Sequence, residues 1–147
     1  MGIRGGIRYV GKHSYNTFGA TLSNREIGLP KRNRATETVP LSNVEYDFSA
    51  LLGSNTYSQR TLKYEFSFLE RNRTRLEMKA ADIINWLENT VGEHKLYDDI
   101  IPLYHFRATV AEVTQKREHS LITVTATFTA YPFRVPNNPD TDLTEVI

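Results

Sequence analysis

The chain has 147 residues, no cysteine, 18 basic and 17 acidic side chains, and a formal net charge of +1. This length suits one domain with its own core. The lack of cysteine excludes a disulfide framework, a thiolate metal centre and a cysteine nucleophile. The balanced charge gives no global field for nucleic acid or an anionic membrane. No stretch approaches the roughly 18 apolar residues of a membrane span, so we expect a soluble protein without a secretion signal.

The first half of the chain carries weak patterns. Residues 13–29 show no clear periodicity. Lys31 to Thr38 follows Pro30, is polar and basic, and predicts an exposed loop or extended arm. Turn residues and short apolar alternations predict the remaining elements: a first strand over residues 3–10 that turns at Gly11-Lys12, a strand pair over 39–48 with Pro40 at an edge and a turn at Ser42-Asn43, and a loop over 50–57.

The second half alternates apolar and polar residues with the period of two that is typical of a half-buried strand. Three such strands are predicted, and their apolar positions are Leu62, Tyr64, Phe66 and Phe68; Tyr104, Phe106, Ala108 and Val110; and Ile122, Val124, Ala126, Phe128 and Ala130. The polar segment Gln115 to Ser120 joins the last two, which predicts an antiparallel hairpin.

One segment, Thr74 to Gly92, has apolar residues at helical spacing. The stripe consists of Leu76, Ala80, Ile83, Ile84 and Leu87. Thr74 and Glu77 match a capping box at the start, and Gly92 suits the left-handed residue that commonly follows a helix. Trp86 lies at the edge of the stripe, where partial burial is favoured over an interface anchor.

These patterns predict an α+β fold: a mainly antiparallel β-sandwich with one α-helix, about residues 75–90, packed across it. No repeat or linker divides the chain. We therefore expect a single domain over residues 1–134 and a polar C-terminal tail over 135–147.

Catalytic patterns are hard to find. Asp98 and Asp99 are neighbours that point to opposite sides of an extended chain, so a turn is favoured over an acid/base pair. His13-Ser14 lacks an evident orienting group and oxyanion hole. The four histidines have no metal-ligand spacing: His13, His94, His105 and His119. The sequence predicts no catalytic, cofactor or metal residue, and an enzyme ranks third among the functions considered.

Two basic runs allow an alternative function as a small nucleic-acid-binding module. They are Lys31-Arg32-Asn33-Arg34 and Arg71-Asn72-Arg73-Thr74-Arg75. Phosphate binding requires that they share a face with stacking aromatics or a groove-sized helix. Solvated loops are the favoured interpretation, with Glu70 and Glu77 near the second run.

The order of short motifs along the chain resembles the N-terminal domain of the distal tail (Dit-like) proteins of long-tailed, siphovirus-type bacteriophages. The resemblance extends from about Ile7 to Pro132 and is carried by Gly11-Lys12-His13-Ser14, Phe18-Gly19, Glu37-Thr38-Val39-Pro40, Leu52-Gly53, Tyr57, Arg60-Thr61-Leu62-Lys63-Tyr64-Glu65-Phe66, Ile84-Asn85-Trp86-Leu87, Leu96-Tyr97-Asp98-Asp99, Pro102 and Ile122-Thr123-Val124-Thr125. No single motif is specific, but their shared order is.

The resemblance implies a sandwich crossed by one helix, related to phage tail-tube-like folds, without catalytic residues or cofactors. It further implies a virion structural protein of a phage or prophage, assembled in the host cytoplasm. In the tail, a ring of six copies would join the tail tube to the tail tip or baseplate proteins. DNA would only pass through the central channel, and no membrane is involved.

Two departures from the family pattern are visible. The turn after Val39-Pro40 is Leu41-Ser42-Asn43, where the family often has glycine. Larger members append a carbohydrate-binding-like domain after the position of Tyr131-Pro132-Phe133, whereas here residues 134–147 follow. The chain is thus expected to be a minimal member or a fragment of a longer protein.

Head-to-tail assembly requires two unlike surfaces. The first candidate is the alternation of Thr123, Thr125, Thr127 and Thr129. A solvated strand face is the commoner interpretation of alternating threonines, but four without a charge would suit close approach by another subunit or by a channel wall. The second is the arm with Lys31, Arg32 and Arg34, because a basic segment without its own core gains order from a partner.

Overall fold

A computed structural model of the chain describes residues 5–33, 36–38, 45–47, 56–138 and 142–147. The strands are β1 (Ile7–Tyr9), β2 (Lys12–His13), β3 (Thr21–Ile27), β4 (Arg32–Asn33), β5 (Thr36–Thr38), β6 (Glu45–Asp47), β7 (Thr56–Tyr57), β8 (Arg60–Leu69), β9 (His94–Asp98), β10 (Tyr104–Glu118), β11 (Leu121–Ala130) and β12 (Val135–Pro136). The described residues contain one helix, α1 (Arg73–Glu88).

Most of these strands form one antiparallel sheet in the order β2-β1-β9-β10-β11-β8-β3, and β12 pairs with β10 beside this path. The sheet curls until its distant strands meet, because Arg25 of β3 and Tyr64 of β8 both contact Asp98 of β9. The two layers predicted for a sandwich are therefore two halves of one continuous sheet. The predicted class, an α+β fold of antiparallel β-structure with a helix, is confirmed.

The core lies between α1 and the concave face of this sheet. The helix packs on β8, β10 and β11. Every second residue of β8 and β11 is buried there, including Tyr64, Phe66 and Phe128 at 0% exposure. Fully burying one large apolar side chain contributes about 1.5–3 kcal/mol. The alternating buried side chains of β8 and β11 therefore supply much of the free energy that stabilises the packing of the helix on the sheet.

The ends of the helix differ from the prediction. The N-cap is Asn72, whose side chain accepts a hydrogen bond from the backbone N–H of Arg75 at 3.2 Å. The Thr74–Glu77 capping box is therefore wrong, because Thr74 is already inside the helix. The C-cap is Asn89, and Gly92 follows three residues later with φ +83°. Gly92 adopts the predicted left-handed conformation but serves the loop into β9.

The buried stripe of the helix is also rotated from the prediction. Leu76, Ala80, Ile83 and Leu87 are buried as expected, but Trp86 at 7% exposure is a core residue. Ile84 is only partly buried. The indole N–H of Trp86 donates to the carbonyl oxygen of Tyr9 at 3.0 Å, which satisfies its one polar group inside the core.

Three strand assignments need correction. Residues 13–29, for which no strand was predicted, contain β3. The strand β9, which follows the helix, was not predicted either. Residues 115–118 continue β10, so the hairpin turns only at His119-Ser120, where His119 has φ 46°. The turn between β1 and β2 lies at Val10-Gly11, one residue before the predicted position, and both residues have positive φ.

The expected arm contains strand structure. Its first residues form β4, which pairs with β7, and Thr36–Thr38 pairs with Glu45–Asp47 as β5 with β6. The exposed-loop interpretation of Lys31 to Thr38 is thus wrong in its secondary structure. The predictions for Pro40, Ser42-Asn43 and residues 50–55 lie outside the described residues.

Candidate assembly surfaces

The convex face of the sheet carries the four predicted threonines. Thr123, Thr125, Thr127 and Thr129 lie on β11, between β8 and β10, and all four are half-buried. They point away from the helix because their neighbours along the strand, such as Val124 and Phe128, fill the core. The alternation therefore predicted the direction of these side chains correctly.

The cross-strand neighbours of these threonines decide how polar the surface is. Thr129 lies opposite Thr61 on β8 and Thr109 on β10, which makes an uncharged row across three strands. Thr127 lies between Lys63 and Glu112. The surface near Thr129 is thus free of charge among these pairs, whereas charges flank the middle of β11.

The root of the arm is fixed to the body. The backbone N–H of Gly28 donates to the carbonyl oxygen of Thr61 at 2.9 Å, and the N–H of Ser58 donates to that of Lys31 at 2.7 Å. A Cβ at Gly28 would lie 2.7 Å from the Thr61 carbonyl oxygen, so only glycine permits this approach. Lys31 and Arg32 are exposed beside this root, while Arg34 lies outside the described residues.

Arg60, the first residue of β8, is 2% exposed and closes the core near the arm root. Its Nε donates to the Gly28 carbonyl oxygen at 2.8 Å and its Nη1 to that of Pro132 at 3.2 Å. The guanidinium lies 5.2 Å from the centre of the Phe106 ring. Burial lowers the pKa of Arg60 below its usual range, and the neighbouring charge of Arg134 adds to this. An internal arginine was not predicted here from the sequence, although Arg60 is in register with the buried residues Leu62 and Tyr64 of the same strand.

A second buried polar cluster joins β9 to β3 and β8, which lie far from it in the strand order of the sheet. Asp98 is 2% exposed and accepts from Arg25 Nε at 2.8 Å and from the Tyr64 hydroxyl at 3.0 Å. Its other oxygen lies 2.7 Å from an Arg25 Nη atom and accepts from the N–H of Ile100 at 3.1 Å. Burial, followed by the charge of Asp98, raises the pKa of Tyr64 far above its usual range. The carboxylate is fully engaged in structure.

Asp99 points away from Asp98, as the sequence predicted, and binds a different group. Its Oδ2 lies 2.8 Å from His13 Nε2 and accepts from the N–H of Gly6 at 3.0 Å. His13 Nδ1 accepts from the backbone N–H groups of Tyr15 and Asn16, both at 3.1 Å, so the neutral ring carries its proton on Nε2.

Ser14 does not complete a triad with these residues. Its Oγ accepts from the backbone N–H of Ile7 at 3.1 Å, and the side chain is fully buried. A Cβ at Gly6 would lie 2.4 Å from this Oγ and 2.9 Å from His13 Cε1, so Gly6 is needed for the close approach. The arrangement His13, Ser14 and Asp99 holds the β1–β2 hairpin to the end of β9.

The second basic run leads into α1, and the two carboxylates nearest to it in the sequence pair with other cations. Glu70 lies 3.5 Å from Lys79 Nζ, and Glu77 forms an ion pair with Arg117 on β10. The favoured interpretation, a solvated segment, agrees with the exposure of Arg71, Arg73 and Arg75.

Within the described residues, no group of three His, Asp or Glu side chains is placed to hold a metal ion. The described part of the chain also contains no helix that is long and apolar enough to cross a membrane.

The described residues thus form one curled antiparallel sheet with a helix on its concave face and a short strand-paired arm. A solved structure with this fold is the crystal structure of the SPP1 Dit (gp 19.1) protein, a siphophage distal tail protein described as a paradigm of the hub adsorption apparatus in phages that infect Gram-positive bacteria. The match has a TM-score of 0.67 and 11% sequence identity, and it covers 88% of this chain. The chain spans about half of that protein, since the match covers 51% of it. At this identity the likeness establishes the fold.

No protein-family model matches the sequence, and no curated protein matches it significantly. The resemblance stated from the motif order is confirmed by the structural neighbour.

Proposed function

We propose that this protein is a structural subunit of a bacteriophage tail, placed in the distal tail or baseplate hub. Copies would bind head to tail into a closed ring of six, the number that the family resemblance implies. The ring would join the tail tube to the tail tip in the virion and leave a channel for DNA. The observation that carries the proposal is the shared fold with the SPP1 distal tail protein over 88% of the chain.

The polar clusters of the body support a structural role. Hydrogen bonds within the body engage the side chains of Asp98, Asp99 and His13. Asp98 accepts from Arg25 and Tyr64, and Asp99 and His13 bond to each other and to the backbone. Ser14 is fully buried. These groups stabilise the curl of the sheet and the attachment of the β1–β2 hairpin to the end of β9.

The exposed surface offers two unlike regions for head-to-tail contact. The convex threonine face, with the uncharged row of Thr61, Thr129 and Thr109, allows another subunit to approach without desolvating charges. The arm root presents Lys31 and Arg32 on a backbone that is tied to β8. A heterologous interface closes into a ring when the rotation between subunits divides the circle.

The experiment is light scattering over a concentration series, with negative-stain imaging of the assembled fraction. We expect the parent protein to form a discrete ring. Thr125→Lys/Thr127→Lys should prevent assembly because it places two charges on the convex face. Lys31→Glu/Arg32→Glu tests the arm root in the same way. Ala81→Lys on the exposed side of α1 is the matched control and should assemble like the parent.

A parent that stays monomeric at its highest soluble concentration would contradict the proposal. Equal assembly of all variants would keep the ring but move its interface elsewhere. Retention on DNA that persists at physiological salt would instead favour the nucleic-acid-binding alternative, since a near-neutral chain neutralises few phosphates.

A further inference from the structure

A basic cleft lies on the outer face of the sheet, at β1 and β9. It has a volume of about 320 Å³ and is lined by Arg8, Val10, Gly11, His94, Lys95 and Tyr97. Arg8 lies directly opposite Tyr97 in the β1–β9 pairing, so the guanidinium and the aromatic ring share one face. The cleft therefore combines cations, an aromatic ring and an exposed aliphatic side chain.

The positive charge of this cleft is not compensated within the described part of the chain. Lys95 lies directly opposite Arg107 of β10, and like charges at such positions repel each other. Glu93 neutralises Arg107 at 2.8 Å, and Asp99 is turned towards His13. No hydrogen bond or ion pair of the Arg8 or Lys95 side chain occurs among the described residues. An anionic group bound here would be attracted by the uncompensated charges of Arg8 and Lys95.

The turn at the rim of the cleft is strained. Val10 has φ 52°, which is a true outlier for a β-branched residue, and its side chain is 45% exposed. Local strain of this kind costs on the order of 1–3 kcal/mol and clusters at functional contacts. An exposed valine held at this cost provides an apolar contact next to the two cations.

The chain itself contains a segment of complementary chemistry. Residues 142–147, Asp-Leu-Thr-Glu-Val-Ile, carry two carboxylates and no cation. The aliphatic side chains Leu143, Val146 and Ile147 are 37–38% exposed. The segment is held to its own body by the bridge between Arg134 and Val146 and by the hydrogen bond from the Tyr131 hydroxyl to Glu145 at 3.0 Å.

We propose that the basic cleft of one copy binds the acidic segment 142–147 of a second copy. Asp142 and Glu145 pair with Arg8 and Lys95, while the aliphatic side chains contact Val10 and Tyr97. The contact is heterologous, so it adds a third element to the head-to-tail assembly, on which this inference rests. A short acidic and aliphatic peptide fits a cleft with two unpaired cations and an apolar rim better than a nucleic acid, whose binding requires a row of phosphate contacts.

Cross-linking in the cysteine-free chain tests the contact directly. One full-length protein carries Val10→Cys and the other Thr144→Cys, and the two are mixed under mild oxidation. We expect a disulfide-linked heterodimer. The matched control replaces Val10→Cys with Lys116→Cys, a highly exposed position at the far end of β10, and should give little product.

Charge reversal separates a specific contact from random collision. Adding Arg8→Glu/Lys95→Glu to the Val10→Cys protein should lower the yield on the order of tenfold, which corresponds to about 1.4 kcal/mol. Adding Asp142→Lys/Glu145→Lys to the Thr144→Cys protein should restore it. Yields that ignore these reversals, or that equal the Lys116→Cys control, would overturn the inference. A double Val10→Cys/Thr144→Cys chain that forms only an internal disulfide would also overturn it.

Three further outcomes are decisive. Suppression of the heterodimer by duplex DNA at physiological salt would identify a nucleic-acid site and overturn the peptide contact. Assembly of the parent in light scattering without charge-dependent cross-linking would refute this inference and leave the proposed ring intact. Charge-dependent cross-linking without a ring would support this inference and contradict the proposed ring.

Discussion

The two faces of strands β8 and β11 share one backbone but have opposite chemistry. On the concave face, Leu62, Tyr64, Phe66 and Phe128 are fully buried under the helix. On the convex face, the residues between them are threonine, serine, lysine and glutamate, and most of them remain half-exposed. A period of two along each strand is enough to give one sheet a core side and an outer side.

The comparison shows where substitutions should have their effects. A change on the concave side alters the free energy of unfolding, because the side chain has no other place to go. A change on the convex side should leave the free energy of unfolding nearly unaltered, because the side chain there is partly in solvent. The following predictions test this division.

The largest effect is expected for Leu87→Asp. Leu87 is 0% exposed between helix and sheet, so the variant places an unpaired carboxylate in the core. We expect a loss of about 4 kcal/mol, which is a large part of the roughly 5–15 kcal/mol that stabilises a typical domain. Urea denaturation followed by circular dichroism measures it. Glu88→Ala, the exposed neighbour, is the control, and equal stability of the two variants would contradict the orientation of α1.

The next effect is expected for Asp98→Ala, which leaves the Arg25 guanidinium without its carboxylate. Breaking a buried ion pair costs about 3–5 kcal/mol, and the value here should lie at the lower end because the Arg25 side chain is 21% exposed. A double variant, Arg25→Met/Asp98→Leu, should recover part of the loss, because it removes the unpaired guanidinium but leaves the Tyr64 hydroxyl and the Ile100 N–H without the Asp98 carboxylate. If the double variant is no more stable than Asp98→Ala, the pair does not act as a unit.

High pH should lower the free energy of unfolding through the ionisation of Tyr9, whose side chain lies in the core on the concave side of the sheet. Burial, followed by the charge of Glu93, raises the pKa of Tyr9 from 10.0 to about 12. The folded state therefore holds this proton more tightly than the unfolded state. Its contribution is complete below about pH 10 and is lost as the pH rises through about 12, by on the order of 3 kcal/mol.

The measurement is the free energy of unfolding across this pH window, in the parent and in Tyr9→Phe. The variant loses the hydrogen bond from the Tyr9 hydroxyl to the Ala108 carbonyl oxygen, 2.8 Å long, but should show a flatter pH dependence. Some slope should persist, because burial also raises the pKa of Tyr64. An identical slope in both proteins would show that Tyr9 is not the group responsible.

The smallest effect is expected at the surface. Arg117→Ala removes the ion pair to Glu77, in which both side chains are about half exposed. Such pairs contribute about 0–1 kcal/mol, and the effect should shrink further in high salt. Thermal melts at low and high ionic strength test it. A large, salt-independent loss would mean that this pair anchors the helix to the β10–β11 hairpin.

The elements that could be predicted from the sequence are those whose own residues carry a regular hydrophobic periodicity. β8, β11 and α1 each carry a long, regular periodicity, because one side of each is buried against the same core. β3 was missed because it is an edge strand whose residues are all exposed or only half-buried, with a bulge between Leu22 and Asn24. Such a strand has little reason to alternate.

The buried polar residues could not be predicted for a different reason. Asp98 meets Arg25 from 73 positions away in the chain, and the partners of Arg60 lie 32 and 72 positions away. A sequence pattern within one segment carries no information about such contacts. The threonine face was found because its direction depends only on alternation, whereas the charges flanking Thr127 depend on strand order. Its role as an interface stays a prediction.

The paired root of the arm has a consequence for how this chain tolerates change. Arg32 on β4 lies opposite Tyr57 on β7, so two positions far apart in the sequence are held side by side on the body. Because the ends are already closed, doubling the length of the segment between them adds only about 0.6 kcal/mol of closure entropy. Lengthening the chain between β4 and β7 should therefore change the free energy of unfolding of the large sheet very little.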